Sequence, residues 1–460
     1  MTVNIRAIER VILVIILLAY SVLAILFAVR VPDWQTPDEP AHYNVIAQIV
    51  ETGRYPVIAM GDWDQAYLSA LTASRFDPAL LDDLDSVQYE DHQPAGYYLL
   101  AAPVYALTDG SLTALRLFSA AWGVFIVLCA YGIGRLMVPA RPWIGLGAAA
   151  FVAFLPQHMH ILASVNNDTL AWAIVAIALY MTIAYLKPER VGWVRPWHLG
   201  LIVGFGLVTK ATTYFLGGVV GLAILYRWWL ETDNPRADLP VFIRAAALYL
   251  IPALALGALW WGRNLIEYGF PDFLGLIAHD EVVVGQPRTA EAIDTRGMEG
   301  YLRFFGETAL NSFVGRFGWM GVPMNGWSYW VFLGLMAVGL SGAAFAVAFP
   351  VQRERTNRGP WGVLLLTIIL ALLAFVYYNL TFLQPQGRYT YPLLIPLGLL
   401  IALGLETWLR LLLRALPISE TGDGSLTPYW LVPLVLLGTA PVTLWLLWRV
   451  IVPNLEYTGV

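Results

Sequence analysis

The feature that most constrains this chain is the recurrence of apolar runs near 20 residues long, joined by short polar links. Each run can cross ~30 Å of hydrocarbon as a helix, and a helix satisfies its own backbone polar groups there. Charged residues make up 13% of the chain, against about 25% in a typical soluble protein. The 19 Trp and 23 Tyr suit belts at the membrane–water boundary. The expectation is an all-α polytopic membrane protein with about eleven transmembrane helices. The spans fall near 8–29, 112–137, 143–155, 169–186, 197–208, 212–226, 241–260, 327–349, 361–378, 391–413 and 429–451. The first run has no small-residue cleavage site behind it and reads as a retained span. The single cysteine, Cys129, lies inside an apolar run and says nothing of redox compartment.

Segment 94–107 is apolar but short for a crossing. Laid on the outer face as a juxtamembrane helix, it leaves the cytoplasmic loops enriched in Arg and Lys and the outer loops acidic, as the positive-inside rule requires. If it crosses, the later loops invert and the rule fails. This map puts the N-terminus in the cytoplasm and the C-terminus outside. It also creates two large outer loops, 30–111 and about 261–326, where any elaborate chemistry must lie. The inner stretches 352–359 and 417–427 are the longest on the other side.

The densest polar stretch follows the first span: Trp34-Gln35-Thr36-Pro37-Asp38-Glu39-Pro40-Ala41-His42-Tyr43. Thr36-Pro37-Asp38-Glu39 reads as a capping box, with Thr36 as N-cap, Pro37 at the first helical position and Glu39 reaching back. The following apolar spacing, through Val45, Ile46, Ile49 and Val50, gives an amphipathic interfacial helix to about Glu51. The cap alone explains both acids. A second reading is compatible with it: Asp38 and His42, four residues apart, share a helix face where a carboxylate can take a proton from a hydroxyl.

Other polar residues gather on the same side. Glu90, Asp91 and His92 precede the juxtamembrane helix, either as a polar loop or as metal or substrate contacts. Asp168 opens the fourth span, either as a helix-start acid or as a contact for a cation or a sugar. His158 and His160, two apart, point away from each other on a helix and make a poor metal pair. Lys210, Arg263 and Arg388 sit at outer span ends, where basic residues are disfavoured. Snorkelling anchors explain them one by one; an anionic lipid headgroup explains all three together.

In order, these motifs resemble the GT-C superfamily of membrane glycosyltransferases, which use polyprenyl-phosphate sugars. The set comprises Pro37-Asp38-Glu39-Pro40-Ala41-His42, Gln93-Pro94-Ala95-Gly96-Tyr97-Tyr98, Leu115-Arg116-Leu117-Phe118-Ser119 and Asp168. It continues with Gly206-Leu207-Val208-Thr209-Lys210, Trp261-Gly262-Arg263-Asn264, Phe317-Gly318-Trp319-Met320 and Gly387-Arg388-Tyr389. Protein O-mannosyltransferases and aminoarabinose lipid A transferases are the most similar groups. His92-Gln93-Pro94 departs from the His-Pro-Pro of the mannosyltransferases. No large polar C-terminal segment is seen, so binding of a peptide sequon is not expected.

The resemblance implies a GT-C-like fold with juxtamembrane helices in the first outer loop, a catalytic module over 1–310 and C-terminal transmembrane helices over 311–460. It implies Asp38, with Glu39 beside it, as catalytic acids. His42, His92, Asp168, Lys210, Arg263 and Arg388 are the expected substrate contacts, and a divalent cation on Asp38 and Asp168 is possible. The expected partners are a polyprenyl-phosphate-linked sugar, a lipid, glycan or protein acceptor, and the bilayer; no nucleic acid is expected. Aromatic residues of 301–320 would dip into the membrane or wall the acceptor. Outer-face placement means the plasma membrane of a prokaryote, the expectation here, or the lumenal face of a eukaryotic membrane. Two other classes compete. A lipid-pyrophosphate-dependent polymerase or ligase would not need the early acid pair. A lipid-linked sugar transporter would carry charges inside its spans.

Overall fold

The computed structural model describes residues 5–349, 358–415 and 427–459, so inner stretches 352–359 and 417–427 lie largely outside the described residues. Among the described residues, nine helices are long and apolar enough to cross a membrane, beginning with Ile5–Arg30, Leu112–Met137 and Asp168–Tyr185. Two expected spans take other forms. The segment at 143–155 is Pro142–Phe154, followed by Pro156–Leu162 after a 64° bend. The bend falls at Leu155, whose extended backbone (φ −68°, ψ 118°) is the conformation a following proline favours. The segment at 197–208 is a 12-residue helix, Pro196–Leu207, short for a crossing. The juxtamembrane helix forms as Gly96–Leu107.

Burial is uneven. Pro142–Phe154 is buried at every residue, and Asp168–Tyr185 at all but two. In contrast, Leu239–Glu267 buries only five positions. The centre therefore consists of apolar helices without an amphipathic stripe, ringed by helices whose outer faces meet lipid. Small residues let the helices close up. A Cβ on Gly404 would lie 1.6 Å from the carbonyl oxygen of Gly339 on the neighbouring helix, so that crossing requires glycine.

The first outer loop is folded tightly. Helix Glu39–Thr52 packs on Gly96–Leu107, and Asn44 donates to the carbonyls of Leu84 and Val87, tying in the 3-10 segment Pro78–Ser86. The stretch expected to dip or cover is a long helix, Thr289–Val314, followed by a hairpin pairing Arg316–Phe317 with Val322–Pro323. Its tip carries Trp319, whose indole donates to the Trp34 carbonyl at 3.1 Å. The aromatic element thus clasps the stretch around Asp38 from outside.

Candidate active site

The helix at the opening motif begins two residues later than the capping box requires, at Glu39 in place of Pro37. Asp38 is the N-cap, in the left-handed region (φ 69°), and its side chain makes no capping bond. The capping-box reading is therefore corrected: Glu39 does not reach back to the helix start. Its carboxylate is fully buried and taken by Arg116, 2.8 Å to Nε and 2.7 Å to Nη2, and it also accepts from the Val165 amide at 3.1 Å. Arg116 donates further to the carbonyls of Ala28, Val31 and Pro32. This ion pair locks the exit of the first span to the second.

Asp38 is released to the other side. One carboxylate oxygen accepts from the Tyr89 hydroxyl at 2.9 Å; the other meets Arg388 Nη2 at 2.6 Å. The side chain keeps 24% exposure, whereas that of Arg388 keeps 3%. Burial pushes the Asp38 carboxyl up, but the Arg388 guanidinium and the Tyr89 hydrogen bond outweigh it and hold it below the usual carboxylate range. Arg388 is delivered by a 3-10 turn, Gly387–Leu393, pinned where the Gly387 amide donates to Ser312 Oγ at 2.8 Å. Nε and Nη1 of Arg388 are buried without a hydrogen-bond partner among the described residues.

A second ion pair lies near the first. Lys210 Nζ lies 2.6 Å from Asp168 and donates to Asn167 Oδ1 at 2.7 Å. Lys210 is placed by the juxtamembrane helix: the Gly96 amide donates to the Val208 carbonyl at 2.6 Å, and a Cβ on Gly96 would meet Thr209 Oγ1 at 2.6 Å. Asn167 then donates to Tyr98 Oη and Gln93 Oε1, and His42 Nδ1 lies 2.8 Å from Tyr98 Oη. Burial first, then the Lys210 charge, pushes His42 down to about 3, so the ring is neutral. Glu90 lies close to Asp38 and Lys210, with one buried oxygen that has no partner among the described residues. Burial and the neighbouring Asp38 push it up to about 8, so Glu90 is a neutral acid beside an ionised one.

Asp38, His42, Asp168, Lys210 and Arg388 thus converge from distant parts of the sequence. His92 does not join them; it is buried against His279, ring centroids 4.2 Å apart, with Nδ1 at 3.1 Å from the Tyr89 carbonyl. Arg263 stands apart in an aromatic cage of Tyr55, Trp260 and Tyr268, donating to the Pro56 carbonyl. His158 and His160 point apart, toward Tyr391 and Phe317. The cation site expected on Asp38 and Asp168 does not fit. Each acid already holds a basic residue, and no group of three His, Cys, Asp or Glu suitable for a metal occurs among the described residues. Tyr89, Tyr98, Asn167 and the partner role of Arg116 were not read from sequence. For Arg116 the signal was there: an arginine inside an apolar helix needs a carboxylate.

The model of a dolichyl-phosphate-mannose-protein mannosyltransferase family matches residues 91–261. The fold is similar to crystal structures of ArnT from Cupriavidus metallidurans. With the form bound to undecaprenyl phosphate the TM-score is 0.52 at 15% identity, covering 96% of this chain and 73% of that one. With the apo form it is 0.50 at 16% identity, with the same coverage. No curated protein matches the chain by sequence. The family model thus covers 171 of the 460 residues, and the ArnT structures share the overall fold of this chain.

Proposed function

We propose that the chain transfers a sugar from a polyprenyl-phosphate donor to an acceptor hydroxyl at the outer face of a prokaryotic plasma membrane, inverting the anomeric carbon. Its N-terminus would be cytoplasmic and its C-terminus external. One observation carries this reading: the partly exposed Asp38 is paired with Arg388, whose guanidinium keeps two further buried donors without a partner among the described residues. A monoanionic or dianionic phosphate is the ligand such donors suit. The ArnT structure with undecaprenyl phosphate supports the donor class.

In the reaction the acceptor oxygen attacks the anomeric carbon opposite the phosphate. The oxygen–carbon bond forms as the carbon–oxygen bond to phosphate breaks, and that electron pair leaves on the phosphate. Asp38 orients the hydroxyl and accepts its proton late, as suits a carboxylate held ionised. Arg388, with Lys210 nearby, receives the charge that develops on the phosphate. The neutral Glu90 adds no negative charge to the donor's surroundings. The module proposed over 1–310 depends on 311–460 for its principal cation, since Arg388 lies 350 residues beyond Asp38.

The test is Asp38→Asn, assayed for sugar transfer in membranes with folding monitored by retained polyprenyl-phosphate binding. Transfer should fall by roughly 10²–10⁴-fold, the usual contribution of a positioned base. Undiminished transfer removes Asp38 as the base.

A further inference from the structure

A polar cavity of about 580 Å³ opens beside the Trp34–Trp319 contact. Gln35, Arg75, Trp319, Asn325, Arg449 and Asn454 supply its polar lining, and no carboxylate lines it. Its volume lies in the range of ligand sites. Neither arginine forms an ion pair among the described residues; Arg75 donates only to the Glu456 carbonyl, and Arg449 makes no hydrogen bond there. Two guanidiniums thus line one hollow that contains no carboxylate, a setting that suits a bound anion.

The surroundings give the source of that anion. Asn325 immediately precedes the span Gly326–Ala348, whose Trp327 and Trp330 are exposed near its start. Arg449 follows the exposed Trp448, over which the Arg30 guanidinium lies 4.5 Å from the ring centroid. Exposed tryptophans at span ends mark the headgroup level of a bilayer. The cavity therefore lies beside span ends whose exposed tryptophans mark the level of the lipid phosphates. It also touches the catalytic stretch, because Gln35 donates to the Arg75 carbonyl at 2.9 Å and lies three residues before Asp38.

We propose that this cavity holds the phosphodiester headgroup of an anionic bilayer lipid, at a site separate from the Arg388 chamber and independent of the reaction assigned to it. The headgroup neutralises Arg75 and Arg449 and fixes the first outer loop against the C-terminal segment.

The test uses the full chain in nanodiscs of phosphatidylcholine with a minor share of phosphatidylglycerol, followed by stepwise delipidation and native mass spectrometry. Wild type should retain phosphatidylglycerol preferentially. Arg75→Gln/Arg449→Gln should weaken that preference on the order of 30-fold, at about fivefold for each basic residue near a lipid phosphate. Arg75→Lys/Arg449→Lys, which keeps both charges, should retain most of it and serves if the glutamine variant does not fold. Arg388→Gln should leave the preference intact. Equal retention of the two lipids by wild type, or an unchanged preference in the glutamine variant, overturns the proposal. So does loss of the preference in Arg388→Gln, which would assign the lipid to the catalytic chamber. Displacement by millimolar inorganic phosphate would make this a free-anion site and overturn the lipid assignment.

Discussion

Replacing Glu39 by Gln separates a structural role from a catalytic one at the acid pair. In the folded protein Glu39 and Arg116 are both almost completely buried and joined by two short bonds. Removing one partner of such a pair costs about 3–5 kcal/mol, because the other charge stays buried without compensation. The lower end applies here. Glutamine keeps an acceptor oxygen for Arg116 or the Val165 amide, and Arg116 keeps three backbone carbonyls and the exposed Asp33 carboxylate at 3.7 Å. The expected loss is about 3 kcal/mol, a large part of a native stability of about 5–15 kcal/mol. The assay is thermal unfolding in detergent alongside sugar transfer per folded molecule. Arg116→Met should reproduce the same destabilisation, and Glu39→Gln/Arg116→Met should recover much of it, since a neutral pair leaves no orphaned charge. Glu39→Gln of unchanged stability but without activity would refute this reasoning and return Glu39 to the chemistry.

Glu90, pushed up to about 8, should make donor binding weaken as pH rises through 8. Ionisation then places a second carboxylate next to Asp38 and the donor phosphate; a titration of polyprenyl-phosphate affinity should show this limb in wild type and not in Glu90→Gln. Asp38 works in the opposite sense: because it is held below the usual carboxylate range, transfer should survive mild acid and fall only below about pH 4, the ordinary carboxylate value. Gly96→Ala puts a methyl 2.6 Å from Thr209 Oγ1 and 2.8 Å from the Val208 carbonyl. It should cost about 1–3 kcal/mol by overpacking and loosen Lys210, lowering transfer more than thermal stability alone explains.

Much of this was legible in the chain because the membrane imposes it. Span positions follow from hydropathy, and basic residues stranded at outer span ends pointed to Lys210 and Arg388. What was not legible is long-range pairing. Thr36-Pro37-Asp38-Glu39 satisfies every local requirement of a capping box, yet Arg116, 77 residues away, takes the carboxylate that the cap needs. Arg263 carried the same signal as Arg388 but is consumed by an aromatic cage and a backbone carbonyl. Asp38 and Asp168 resemble a cation site only until their basic partners are placed. The bend after Phe154 is signalled by Pro156, which favours an extended Leu155, but the unbroken hydrophobicity of the segment masks it.

The Arg388 guanidinium, paired with Asp38 and holding two further buried donors, would set the timing of the proposed reaction. Before the bond to phosphate breaks, Arg388 spends its charge mainly on Asp38 and keeps that carboxylate a weak base. As the departing phosphate gains charge it competes for the same cation, and the hold on Asp38 slackens. Its basicity then rises in step with leaving-group departure, when the attacking hydroxyl becomes acidic. In the proposed reaction a single side chain would thereby synchronise proton removal with bond cleavage, without any moving part.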